Sequence, residues 1–128
     1  MNHKLSVRLD NFFRRKHVFD AYDMDPYHME KSKYFQDYMP GNVCYGCGRE
    51  NHDGLKIRSY WEGEEAVCIW HSQDKYNGWQ GILNGGVLAT LIDCHSMCTA
   101  MAAAYRAEER EINSEPIYHY ATASLNIK

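Results

Sequence analysis

Residues 84–105 have the sequence NGGVLATLIDCHSMCTAMAAAY, and this segment carries the strongest helical signal in the chain. It opens on Asn84, a residue type that favours the N-cap position of a helix. Leucine, isoleucine and methionine then recur at helical spacing, and Asp93 is the only charged residue in the segment. The pattern predicts a helix from Val87 to about Arg110 that is apolar on nearly all sides. Such a helix is buried, so we expect a sheet that wraps around it.

Short apolar segments on both sides of this helix predict the strands of that sheet. Residues 55–61 alternate between apolar and polar side chains, as in a half-buried strand, and residues 66–70 are continuously apolar. Residues 62–64 between them, Glu-Gly-Glu, favour a turn, so the two strands should form a hairpin. The helix breaks at residues 113–116, and residues 117–128 predict a final long strand.

The first forty residues predict a helical extension, which divides the chain into an extension at 1–40 and a domain at 41–128. A short amphipathic helix is indicated by four apolar residues at helical spacing: Leu5, Leu9, Phe12 and Phe13. Asp25 followed by Pro26 favours the start of a second helix, which would run to about Tyr38. We expect both helices to pack their aromatic side chains on the main domain.

Composition limits the class of protein. The chain has 128 residues, of which 45% are apolar and 24% are charged, so it is long enough for one domain with a real core. A formal net charge of −3 argues against a general affinity for nucleic acid. There is no uncharged apolar run of about 18 residues and no apolar signal segment, so we expect a cytoplasmic protein without a membrane span. The five cysteines, an odd number, are expected to be free thiols.

The start of the predicted helix and Asp93 form the candidate catalytic site. Gly85 and Gly86 leave the first backbone N–H groups of the helix uncovered by side chains. Together with the helix dipole, these groups can bind an anion or a polarised carbonyl oxygen. Asp93 lies seven residues after Gly86 and therefore on the same face of the helix. A carboxylate on an apolar helix is costly unless it is paired or used, so Asp93 is either a general base or the partner of a hydroxyl such as Ser96.

Several segments of the sequence resemble the PaaI-type acyl-CoA thioesterases. The similar residues are 44–48 (CYGCG), Asn51, 54–55 (GL) and 78–93 (GWQGILNGGVLATLID). The resemblance covers about residues 41–128 and is most specific over the last of these segments. It implies an α+β hotdog fold, in which a curved antiparallel sheet wraps around a long central helix.

The resemblance also implies roles for single residues in thioester hydrolysis. Asp93 lies at the offset of the family's catalytic Asp or Glu and would activate a water or attack the carbonyl itself. The N–H of Gly85 or Gly86 would stabilise the oxyanion, and Asn84 replaces the histidine that begins the family's motif. Related enzymes often have an amide side chain six residues before that histidine, where this chain has Gly78. We therefore expect the remaining substrate contacts from other residues: Asn77, Gln80, Ser96 and Met97.

The expected ligand and partners follow from the same resemblance. The substrate is an acyl-CoA, and we expect neither a metal nor a cofactor beyond the coenzyme A of the substrate. Family members are dimers or tetramers with active sites between subunits, so we expect a homodimer or homotetramer. The family has further strands beyond the point that corresponds to residue 128. The chain therefore resembles a hotdog domain truncated at its C-terminus, whose helix another chain must help to cover.

Two other functions remain open from the sequence. With Asn84 and Gly78 at these positions, a hotdog domain could bind acyl-CoA without hydrolysing it. The chain could also be a zinc-ribbon interaction protein whose ligands are Cys44, Cys47, Cys68 and His71. Against that zinc site, residues 68–71 are predicted to be a strand, in which positions three apart face opposite sides. Cys94 and Cys98, four residues apart in the predicted helix, are expected to pack in the core.

Overall fold

The computed structural model describes residues 34–127 and the backbone of residues 4–10. Within them, one long helix accompanies two small sheets. The strands are β1 (Lys4–Asp10), β2 (Ser59–Glu62), β3 (Glu65–His71), β4 (Asn77–Trp79) and β5 (Ile82–Leu83), and the helix is α1 (Gly85–Ala107). Two short 3-10 helices occupy Phe35–Tyr38 and Asp74–Tyr76. This mixed architecture, with the helix packed on small sheets, is compatible with the predicted α+β class.

The predicted hairpin is confirmed. β2 and β3 pair antiparallel, with Ser59 opposite Cys68. Gly63 in the turn has a positive φ of 60°, which glycine adopts without steric cost. The first strand is shorter than the predicted 55–61, because the backbone of Lys56 is left-handed (φ 58°) and interrupts the extended conformation.

β1 is the third strand of this sheet and was not predicted. It pairs parallel with β3, from Lys4 opposite Glu65 to Asp10 opposite His71, which gives the order β1-β3-β2. The amphipathic helix predicted from the spacing of the first leucines is therefore wrong for these residues. β3 lies at the centre of the sheet, so its backbone groups need partners on both edges, and a strand supplies them where a helix would not.

The rest of the predicted helical extension is described only at its end. Its first helix beyond residue 10 and the start of the second helix at Asp25 fall within residues 11–33, outside the described residues. At the predicted end of the second helix, Phe35–Tyr38 form a 3-10 helix. Phe35 is buried there and packs against Trp61, with 5.2 Å between the ring centroids. This contact agrees with the expectation that aromatic residues of the extension pack on the main domain.

The predicted long helix is confirmed as α1, which ends three residues before the predicted Arg110. Glu109, just beyond its end, adopts a left-handed φ of 53°. One side of α1 is buried in the core, and the buried residues are Val87, Leu91, Cys94, His95, Cys98, Thr99, Met101, Ala102 and Tyr105. The opposite side is half-buried or exposed in the described structure. The prediction of burial on nearly all sides is therefore wrong, because a three-stranded sheet covers one face of a helix and no more.

By length and composition alone, α1 is also long and apolar enough to cross a membrane. The sequence-based expectation of no span depended on the charge of Asp93, which interrupts the apolar run. One such helix is weak evidence for a span, because the core helices of globular domains share this property.

The final segment, residues 117–127, is irregular, so the predicted last strand is wrong for the residues described. Its first backbone groups bond to side chains at the end of α1 rather than to a strand. The Tyr118 N–H donates to the Tyr105 hydroxyl at 2.9 Å, and Arg110 donates to the Pro116 carbonyl at 2.7 Å. The apolar side chains of this segment, among them Leu125 and Ile127, are exposed. The segment thus lies over α1 without forming part of either sheet.

Candidate functional site

Asn84 caps α1 as predicted. Its side-chain oxygen accepts the N–H of Gly86 at 2.8 Å and the N–H of Val87 at 3.4 Å, while its backbone carbonyl accepts the first helical bond from Leu88 at 3.1 Å. Gly78 lies directly against this cap, since a Cβ on Gly78 would be 3.1 Å from Asn84 Cα. This close approach gives a physical reason for glycine at position 78.

The two glycines of the helix start are not equivalent. The N–H of Gly86 is engaged by the cap, so a ligand would have to compete with Asn84 for it. Gly85 is exposed, and a Cβ placed on it would have no heavy atom within 4 Å. Of the two predicted oxyanion donors, Gly85 therefore has the more accessible backbone.

Asp93 lies on α1 with a half-buried side chain. Its Oδ1 accepts a short hydrogen bond from the Thr122 hydroxyl, which comes from the irregular segment that follows α1. Sequence reasoning missed this partner and named Ser96 instead, because no pattern relates residues 29 positions apart in an irregular segment. The pairing holds the carboxylate through one oxygen.

The predicted substrate-binding residues lie near the helix start and along α1. Asn77 and Gln80 lie in and after β4, half-buried and exposed respectively. Ser96 and Met97 are half-buried on α1, and Met97 packs against the core. A concavity of about 380 Å³ lies instead at the C-terminal end of the helix, where its lining includes Tyr38, Trp61, Arg106 and residues 109–112. None of the predicted site residues lines it.

A buried polar network connects three elements beneath the helix. His95 Nδ1 lies 3.0 Å from Ser59 Oγ, and Gln36 Nε2 donates to the same oxygen at 3.3 Å. The Ser59 N–H donates to Gln36 Oε1 at 2.8 Å. All three side chains are fully buried. This arrangement satisfies polar groups within the core and ties α1 to β2 and to the first 3-10 helix.

A cluster of thiols lies beside Asp93 along the helix. The sulfur atoms of Cys44, Cys47 and Cys94 all lie within 4.8 Å of one another. Cys44 Sγ and Cys94 Sγ are 3.8 Å apart, although the two residues are 50 positions apart in the sequence. Cys98, one turn along α1 from Cys94, has its thiol in hydrogen-bonding contact with Cys47. We call Cys44, Cys47, Cys94 and Cys98 the thiol cluster.

Hydrogen bonds within the thiol cluster favour one thiolate. The pKa of Cys47 is held far below its usual value by hydrogen bonds from Cys94 and then Cys98, against the opposing effect of burial. The same bonds raise the pKa values of Cys94 and Cys98, which are the donors, and burial raises them further. Asn42 Nδ2 also donates toward Cys47 Sγ at 3.7 Å. Cys47 is thus the position at which negative charge is stabilised.

The zinc-ribbon ligand set predicted as an alternative is wrong. Cys68 is buried within β3, and His71 is exposed at the end of that strand. Among the described residues, the side chains that meet at one point are Cys44, Cys47 and Cys94, and neither Cys68 nor His71 belongs to this group. Cys94 and Cys98 pack in the core as expected, and there they also contact Cys44 and Cys47. The missed signal was a pair of cysteines at positions i and i+4 on one helical face.

The loop that carries Cys44 and Cys47 packs its backbone closely against α1. Gly48 N–H donates to the Cys44 carbonyl at 2.8 Å, which closes a tight turn. A Cβ on Gly46 would lie 2.4 Å from Cys94 Sγ and 2.8 Å from Thr90 Cγ2. Glycine at position 46 therefore lets the loop approach the helix closely enough for the thiols to meet.

Comparisons of the chain with protein families, with curated proteins and with solved structures gave no match. The candidate site is accordingly defined by its own residues and contacts. These are the capped helix start, the Asp93 carboxylate with Thr122, and the thiol cluster between α1 and the cysteine loop.

Proposed function

We propose that the protein is an acyl-CoA thioesterase in which Asp93 is the catalytic carboxylate. The observation that carries the proposal is the position of Asp93, which is the only acidic residue of α1 and keeps a partly exposed side chain on an otherwise apolar helix. An ionised carboxylate loses hydration when it lies on an apolar helix, which costs free energy. Groups kept at such a cost are typical of functional sites. The sequence resemblance to PaaI-type thioesterases over residues 78–93 supports the same role.

Thioester hydrolysis assigns a task to each group at the helix start. Asp93 accepts a proton from a water whose oxygen attacks the thioester carbonyl carbon, or its own oxygen attacks that carbon to form an anhydride that water then hydrolyses. In both routes a tetrahedral oxyanion forms, and its collapse expels coenzyme A as the thiolate, which takes up a proton. The accessible N–H of Gly85 is the donor best placed for the oxyanion. Asn84 fixes the helix start, and Thr122 positions the carboxylate through Oδ1.

The proposal includes a hotdog arrangement completed by a second copy of the chain. A three-stranded sheet leaves one side of α1 incompletely covered, as an unpartnered hotdog half would. Trp79 and Ile82, next to the helix start, have exposed fractions of 76% and 52%. Exposed apolar side chains beside a candidate site favour an interface at that place. A homodimer or homotetramer would then bring partner residues to the active site.

The test is release of free thiol from a panel of acyl-CoA thioesters by the full chain and by Asp93→Asn. We expect kcat to fall by about a hundredfold or more in Asp93→Asn, because the variant cannot accept a proton. Asp74→Asn is the matched control: it removes an exposed carboxylate outside the site and should leave turnover unchanged.

Two results would contradict the proposal. Undiminished turnover by Asp93→Asn would show that another group does the chemistry. No turnover of any thioester, with coenzyme A still bound, would favour the alternative of a hotdog domain that binds acyl-CoA without hydrolysing it.

A further inference from the structure

We propose that the thiol cluster is a structural zinc site, in which Cys44, Cys47, Cys94 and Cys98 bind one Zn²⁺ as four thiolate ligands. The site is independent of the proposed thioesterase activity. It differs from the ligand set that the sequence spacing suggests, because it uses the two cysteines of α1 in place of Cys68 and His71.

The sulfur positions fit tetrahedral zinc. Zn–S bonds of about 2.3 Å in a tetrahedron place neighbouring sulfur atoms about 3.8 Å apart. Cys44 Sγ and Cys94 Sγ are 3.8 Å apart, and Cys47 Sγ lies within 4.8 Å of both. Three sulfur atoms therefore already surround one point at nearly the spacing that the metal requires.

Cys98 supplies the fourth ligand. Residues at positions i and i+4 share one face of a helix, so Cys94 and Cys98 both face the loop. The Cys98 thiol contacts Cys47, and its residue has an exposed fraction of 0%. A rotation of this side chain toward the other three sulfur atoms would close the site against solvent, as in structural zinc sites with four cysteines.

The surroundings of the cluster favour thiolates, the form of cysteine that binds metal. The Asn42 amide donates toward the Cys47 sulfur at 3.7 Å, and a thiolate accepts such a hydrogen bond better than a thiol does. Binding of Zn²⁺ would replace the thiol protons that the cluster now shares among its sulfur atoms. Soft thiolate ligands in a tetrahedral arrangement select zinc over the harder divalent cations.

The loop geometry indicates that Cys44 and Cys47 are held in place before a metal arrives. The Gly48 N–H bonds to the Cys44 carbonyl at 2.8 Å, and the Ile57 N–H bonds to the Gly46 carbonyl at 3.0 Å. The Cys44 N–H is bound by the Asn42 side chain at 2.9 Å. A metal here would connect this loop to α1 at the residue after Asp93 and so fix the helix that carries the proposed catalytic carboxylate.

The test measures metal directly and does not depend on catalysis. The full chain is purified under reducing conditions, its zinc content is determined, and the metal-free chain is titrated with Co²⁺. We expect one zinc per chain, and for cobalt the charge-transfer and visible bands of a tetrahedral thiolate complex. Cys44→Ala is the main variant, because Cys44 is exposed and its loss leaves the core intact. Cys68→Ala is the matched control, a buried cysteine outside the cluster.

Loss of a residue that only supports a metal ligand weakens metal binding by roughly 10- to 100-fold. Cys44→Ala removes a ligand itself, so we expect Zn²⁺ binding to weaken by more than that. Cys68→Ala should bind like the unmodified chain. Equal Zn²⁺ binding by Cys44→Ala and Cys68→Ala would overturn the site. An unmodified chain that binds neither zinc nor cobalt would also overturn it, as would one that forms a Cys44–Cys94 disulfide in place of the metal site. Undiminished binding by Cys98→Ala would overturn the four-thiolate assignment. If Cys44→Ala fails to fold, the cobalt spectrum of the unmodified chain still decides the question.

Discussion

Gly46→Ala tests the close contact between the cysteine loop and α1. A Cβ at this position would lie 2.4 Å from Cys94 Sγ, 2.8 Å from Thr90 Cγ2 and 3.3 Å from Ile57 Cδ1. Ordinary contacts of these atoms begin near 3.4 Å, so the loop and the helix must separate by about an ångström. Forcing extra atoms into a packed site costs about 1–3 kcal/mol. In a chain of this size, each kcal/mol lowers the melting temperature by about 3–4 °C.

The free energy of unfolding is measured by urea denaturation, with a chelator present so that bound metal does not contribute. Gly85→Ala is the matched control, because a Cβ there has no heavy atom within 4 Å and lies in the first turn of α1. We expect this control to be as stable as the unmodified chain or more stable by up to about 1 kcal/mol. A Gly46→Ala variant as stable as the Gly85→Ala control would refute the contact.

A double-mutant cycle locates the strain. Cys94→Ala removes the sulfur atom nearest to the new methyl group, so Gly46→Ala should cost less in the Cys94→Ala background than alone. We expect a coupling of about 0.5 kcal/mol or more, with part of the cost remaining because Thr90 Cγ2 is also close. Additive effects would show that Gly46 and Cys94 do not meet.

Three further predictions concern other contacts. Asn84→Ala should lower the free energy of unfolding by about 0.5–2 kcal/mol in urea denaturation, because the cap is lost. Asn84→Asp should lower it by less, because aspartate can also cap a helix. Equal losses in the two variants would argue against capping. Ser59→Ala removes the buried hydroxyl that Gln36 Nε2 and His95 Nδ1 share and should cost about 1–3 kcal/mol in the same assay. An unchanged midpoint would exclude this prediction. With a chelator present, iodoacetamide should alkylate Cys44 in the native chain and leave Cys68 unmodified, because burial shields Cys68 and raises its pKa to about 11. Mass spectrometry of the digested protein would report both sites. Labelling of Cys68 before Cys44 would contradict the burial.

The local elements were predictable where local sequence decides the structure. The cap at Asn84, the continuous apolar segment after it and the Glu-Gly-Glu turn at 62–64 each act over a few residues, and the structure has the helix and the hairpin there. The two segments whose secondary structure was predicted wrongly lie near the ends of the sequence. Residues 4–10 have leucines at helical spacing but pair with β3, and residues 117–127 have a strand-like composition but bond to the end of α1. In both cases a distant part of the chain decides which backbone partner is available.

The amino-acid sequence by itself determined the helix, its cap and the glycines at its start, because capping and helical periodicity depend on neighbouring residues. It also placed Asp93 on that helix as the candidate carboxylate. Only the tertiary structure decided that Thr122 meets Asp93 and that Cys44 and Cys47 meet Cys94 and Cys98. These contacts join residues about 30 to 50 positions apart, and no local pattern records such a distance. They depend on how the loop and the final segment pack against α1, which the sum of many small contacts across the core determines.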